Sequence, residues 1–184
     1  DHAMGQIADV VPNHMAVMGA DNAWWMDVLE NGQGSIYAGY FDIDWHPPDP
    51  DLAGKVLVPV LGDHYGRVLE KGELQLRYEA ESGAFAVRYH EHRLPIDPRE
   101  YSILLDLVLA ESAQLANPLP RSATAELASI ATAFRRLPTR DDLNAAHLAE
   151  RNRDKELLKR RLATLSQAHA PLHASIEQTV KQVN

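Results

Sequence analysis

The sequence predicts an α+β chain in three parts. Residues 1–62 read as one strand of a (β/α)8 barrel with its active-site loops, 63–96 as a small antiparallel β subdomain, and 97–184 as an α-helical insertion. Three observations predict this. The apolar run Gly5-Gln6-Ile7-Ala8-Asp9-Val10-Val11 ends abruptly in Pro12-Asn13-His14. A barrel strand buried on both faces is such a run, with polar exceptions where its C-terminal end opens onto chemistry. Residues 73–94 alternate apolar and polar, and from Asp97 onward the apolar spacing becomes helical.

The first strand has no helix before it and no partner strand, because the sequence begins only a few residues earlier. An initiator methionine is also missing, so an excerpt of a longer chain is expected. Asn22 can cap a short helix through Trp24, Trp25, Val28 and Leu29, stopped by Gly32; Trp24, Val28 and Leu29 fall at helical spacing, so part of it is expected to face a core. Lys55 to Val60 is a second strand candidate. Leu74, Leu76 and Tyr78 point one way, and beyond a Ser82-Gly83 turn so do Phe85, Val87 and Tyr89. That is a hairpin with one buried face. Asp97 and Pro98 suit the start of a helix whose stripe is Ile103, Leu104, Leu107 and Val108. Ser122 and Thr139 are expected to cap two further helices. The first turns Leu127, Ile130, Phe134 and Leu137 inward. The second runs from about Asp141 to His169 with Leu143, Leu157, Leu158, Leu162 and Leu165, and Pro171 opens a last helix.

Composition narrows the function classes. The chain has 184 residues, a 45% apolar share and a net charge of −8. That balance argues against a nucleic-acid groove or an anionic membrane as partner. With no cysteine there is neither a disulfide framework nor a thiolate metal site, which fits a reducing cytoplasm. No apolar stretch approaches the ~20 residues of a membrane span. The start, Asp1-His2-Ala3-Met4, lacks the basic and apolar regions of a signal peptide.

Asp9, Asn13 and His14 are the first candidate site residues. The plain alternative is a capped strand end with an exposed histidine. The functional reading has Asp9 orienting a neighbour in the barrel mouth while His14 donates to a ligand hydroxyl, since a neutral imidazole both donates and accepts. The aromatic-dense stretch Trp24, Trp25, Tyr37, Tyr40, Phe41 and Trp45 comes next. About half of these should be core and the rest suit the apolar faces of pyranose rings; sequence leaves open which. Asp42, Asp44, Asp49 and Asp51 lack the glycine and terminal glutamate of a calcium loop, and His90 with His92 lacks a third ligand, so no metal is expected. Arg151, Arg153, Lys155, Lys159, Arg160 and Arg161, interleaved with Glu150, Asp154 and Glu156, predict a solvated helix face.

Asp-Val-Val-Pro-Asn-His at residues 9–14 resembles the first signature of glycoside hydrolase family 13, the α-amylase superfamily, at the end of its third barrel strand. The run from Asn22 to Gly32 is similar to a narrower group within it. So are Ser35 to Trp45, Lys55 to Gly62, Gly72 to Leu74 and His92 to Pro98. The resemblance runs from Gly5 to about Tyr101. It implies an intramolecular transglucosylase of trehalose biosynthesis, which turns the reducing-end α-1,4 bond of a maltooligosaccharide into an α,α-1,1 bond. It implies substrate contacts from His14, Asn13, Asp9, Trp24, Trp25, Tyr37 and Tyr40, no cofactor, and a partner in the remainder of the catalytic barrel. The superfamily's catalytic carboxylates belong to later signatures and are absent here, so none of Asp27, Glu30, Asp42 and Asp44 is given a catalytic role and this chain is expected to be inactive alone. Two rivals stand beside this reading: a sibling amylase or glucanotransferase, and a non-enzymatic helical interaction module.

Overall fold

The computed structural model describes residues 9, 17, 21–112 and 119–184. Among them it is an α+β fold with six α-helices and a three-stranded antiparallel sheet. The expected barrel strand lies, apart from Asp9, outside the described residues.

Helix α1 (Ala23–Asn31) begins where Asn22 accepts a hydrogen bond from the Trp25 amide and ends at Gly32, which takes a φ of 57°. Both ends match the sequence expectation. Lys55 to Val60 is not a strand. Val56, Val58 and Val60 are half-buried and alternate with exposed residues, but no strand among the described residues hydrogen-bonds to the segment. Helix α2 (Tyr65–Glu70), which the sequence reading did not contain, follows it.

The hairpin is β1 (Gln75–Glu79) and β2 (Ala84–Tyr89), with Leu76 opposite Val87 and Tyr78 opposite Phe85. A third strand, β3 (His92–Pro95), pairs with β2 beyond a turn at His90. This makes β2 the central strand. Ala84 and Ala86, on the face opposite Phe85, are therefore buried too, and the expectation of one buried face holds only for β1. The free edge of β1 is closed by Asn184, whose side-chain amide donates to the Leu76 carbonyl at 3.0 Å and accepts from its amide at 2.6 Å.

Asp97 caps the turn Pro98–Glu100, which leads into α3 (Tyr101–Ser112). The stripe read from sequence is rotated here. Tyr101, Leu105 and Val108 face the core, while Ile103 and Leu107 are exposed. The helix is apolar nearly all round, so spacing alone does not fix its inward face. Helix α4 (Arg121–Arg136) starts after Pro120, one residue before Ser122 and with no side-chain cap; Leu127, Ile130, Phe134 and Leu137 are buried as expected. Helix α5 (Ala145–Ala168) starts at Asn144 rather than Asp141, because the Asn144 carboxamide accepts from the Ala146 and His147 amides. Thr139 lies in the preceding turn. Pro171 sits in the first turn of α6 (Ala170–Val183).

One apolar core joins the sheet to α3, α4, α5 and α6. Rings run through it from Tyr78 to Phe85, Tyr101 and Phe134, each centroid 5.0 Å from the next. Burial raises the Tyr101 hydroxyl pKa far above the ordinary phenol value, and the hydroxyl donates to the Phe85 carbonyl.

On the sheet, Arg93 grips the Glu79 carboxylate with two hydrogen bonds of 2.8 and 2.6 Å, and Arg88 adds a third. Burial works against the Glu79 charge, but the two guanidiniums outweigh it and hold its carboxyl below the ordinary value of 4.5. A carboxyl depressed in the folded state stabilises the fold above its unfolded pKa and loses that contribution as pH falls through the folded one. Wild type should therefore lose stability over Glu79→Gln as pH drops below 4.5. Paired urea titrations at pH 6 and pH 3 check this, and a constant gap between the two would contradict it.

Candidate functional site

Helix α1 and the turns after it present aromatic rings in two layers. The outer layer is Trp24, Tyr37 and Tyr40. Trp24 and Tyr37 stack with centroids 4.9 Å apart and planes 9° from parallel, and Tyr40 leans on Trp24 at 5.0 Å. Trp24 is 39% and Tyr40 68% exposed. The inner layer is Trp25, only 7% exposed, with Phe41 at 5.1 Å. Neighbouring positions on a helix point about 100° apart, so one tryptophan faces outward and the other inward. Trp45 is half-buried and its carbonyl accepts from the Gly54 amide. Asp9 is exposed and outside regular structure. Asn13 and His14 lie outside the described residues, so three of the seven predicted contacts come together, Trp24, Tyr37 and Tyr40, while Trp25 is buried apart from them against Phe41.

Behind the rings is a feature that the sequence reading missed. Arg151, Lys155 and Lys159 do not form a solvated face: they are 0%, 3% and 6% exposed. The spacing i, i+4, i+8 puts them on one side of α5, and that side meets α1. Lys159 Nζ donates to both Glu30 oxygens at 2.7 and 2.8 Å. Lys155 Nζ donates to Asp27 Oδ1 at 2.9 Å and lies 3.3 Å from Glu30 Oε1. Arg151 reaches Asn31 Oδ1, the Pro138 carbonyl and Asp97 Oδ1. Burial disfavours the Lys155 ammonium, but Glu30 and Asp27 outweigh it and hold its pKa above the ordinary lysine value. Asp27 and Glu30 are thus partners of buried cations. Arg153, in contrast, is exposed as expected and pairs with Asp154.

Asp44 and Asp49 accept from the amides of His46 and Asp51, closing local turns. Among the described residues no group of three or more acidic, histidine or cysteine side chains is placed to hold a metal ion. No helix among them is long and apolar enough to cross a membrane. A groove of about 680 Å³ between α4 and α5 is lined largely by small and alkyl side chains, on elements apart from the aromatic layers.

Two curated relatives bear the name maltooligosyl trehalose synthase, from Mycobacterium tuberculosis strains H37Rv and CDC 1551 / Oshkosh. Each is 40% identical over 89 residues, which covers 44% of this chain. The chain spans 11% of the length of these relatives. No family model matches the chain. No solved structure matches it either.

Proposed function

We propose that this chain is a piece of a cytoplasmic maltooligosyl trehalose synthase of glycoside hydrolase family 13, contributing a wall of the sugar site beside a (β/α)8 barrel. The observation that carries the proposal is the 40% identity over 89 residues to relatives of that name. The exposed rings of Trp24 and Tyr40, with the half-buried Tyr37 stacked on Trp24, support it, since aromatic planes suit the C–H faces of glucose units.

The reaction is an intramolecular transglucosylation. One carboxylate attacks the anomeric carbon at the reducing-end α-1,4 bond, and a carboxylic acid protonates the leaving oxygen. Both groups come from parts of the enzyme beyond these residues. The freed glucose turns within the site and attacks the glycosyl-enzyme through its own anomeric hydroxyl, so water has to be kept out. In this reading His14 and Asn13 bind the sugar near the cleaved bond and Asp9 orients them. Trp24, Tyr37 and Tyr40 form the platform, and Trp25 with Phe41 anchors α1 on its buried side.

Product analysis of the full-length protein on maltopentaose tests the proposal. A non-reducing isomer of the same mass is expected; free glucose and maltose alone would indicate a hydrolase instead. With Trp24→Ala, the ratio of hydrolysis to α,α-1,1 product should rise. An unchanged ratio would remove Trp24 from the enclosure.

A further inference from the structure

We propose that Lys155 is a positioning residue for glucan binding at Trp24, Tyr37 and Tyr40, acting through Asp27 and Ser35. The inference rests on the platform reading above and adds a role for the helical region within it.

The line of contacts is continuous. Lys155 Nζ donates to Asp27 Oδ1 at 2.9 Å, and the Asn31 carboxamide donates to the same oxygen at 2.9 Å. The other oxygen, Oδ2, accepts from Ser35 Oγ at 2.5 Å. With its single proton given to Asp27, the Ser35 hydroxyl turns a lone pair toward the Tyr37 amide, which donates to it at 3.1 Å. Tyr37 in turn precedes the tight turn Ala38–Tyr40, closed by the Tyr40 amide on the Tyr37 carbonyl at 3.0 Å. The Ser35 hydroxyl therefore acts with the Ala38 amide, which donates to the Ser35 carbonyl at 3.1 Å, to set both outer tyrosines against Trp24.

The chemistry of the cation singles out this role. An ammonium is expensive to bury, and an apolar contact of similar volume would hold α1 on α5 at least as well. What an apolar side chain could not do is join the Asn31 carboxamide in holding Asp27 Oδ1, which leaves Oδ2 turned toward Ser35. The Lys155 side chain is 4% exposed and its charged neighbours are Asp27, Glu30 and Glu156, so its direction is set.

The test is steady-state kinetics of the full-length protein on maltopentaose, with Trp24→Ala, Ser35→Ala, Lys155→Met and Lys155→Arg. Ser35→Ala removes one hydroxyl and should melt close to wild type. Its KM should rise about tenfold, equivalent to about 1.4 kcal/mol, with kcat changed much less. Lys155→Met should raise KM alike, and Lys155→Arg should recover part of the loss by restoring the cation. If Trp24→Ala impairs KM while Ser35→Ala does not, the positioning role is overturned and the platform stands. If Trp24→Ala leaves KM unchanged, the platform reading falls and this inference falls with it. Should Lys155→Met fail to fold, Lys155→Gln takes its place, and a wild-type KM in it overturns the inference.

Discussion

Arg151→Met should lower the melting temperature by roughly 10 °C, from the loss of about 3–5 kcal/mol that follows when one partner of a buried ion pair is removed. Arg151 is fully buried, and its guanidinium serves three segments at once. Nε donates to Asn31 at the end of α1, one terminal nitrogen to the Pro138 carbonyl ahead of α5, and the other to Asp97 at 2.8 Å. Methionine fills similar volume but makes none of these bonds. Asp97, only 15% exposed, would keep the Arg99 amide that it caps and lose its counter-charge. The control is Arg153→Ala, whose side chain is 71% exposed beside Asp154. Exposed pairs contribute about 0–1 kcal/mol, so this variant should melt near wild type. Thermal unfolding followed by circular dichroism separates the two, and equal melting points would show that the buried network holds nothing.

The contrast between Arg151 and Arg153 also marks how far the fold was legible in the sequence. Charges interleaved along α5 read as solvated because the partners of the buried ones are distant: Asp27 is 128 residues from Lys155. The i, i+4, i+8 register of Arg151, Lys155 and Lys159 was the available signal, and it acquires meaning only once α1 is seen to pack there. Elements governed by local chemistry were readable. Asn22 and Asp97 cap what they were expected to cap, and alternation set the β1–β2 register. Strand β3 was missed because its turn uses His90 at a φ of 51° instead of the glycine or asparagine that announces such turns. The site followed the same division. The aromatic stretch was legible as composition, but which of Trp24 and Trp25 faces outward depends on where α1 packs, and no residue within α1 specifies that.

Gly83→Ala should be at least as damaging as the loss of Arg151, for two separable reasons. Gly83 has a φ of +68°, a conformation that costs an L-residue about 1–2 kcal/mol. Gly54 has nearly the same φ, +67°, with nothing within 4 Å of where a Cβ would stand. Gly54→Ala therefore reads the backbone cost alone and should destabilise by about 1–2 kcal/mol. At Gly83 a Cβ would lie 2.0 Å from the Lys159 carbonyl oxygen and 2.9 Å from the Ala163 amide nitrogen. Both are backbone atoms of α5, so no rotamer change relieves the clash and the hairpin or the helix must move. Movement of α5 at Lys159 would also disturb the grip of that lysine on Glu30. A total above about 4 kcal/mol is expected, in the range where a specific structural cause is required. Urea unfolding of the two alanine variants side by side measures the difference. Similar losses at Gly83 and Gly54 would mean that the hairpin turn does not rest on α5, and with it would go the close packing that brings Lys155 and Lys159 to α1.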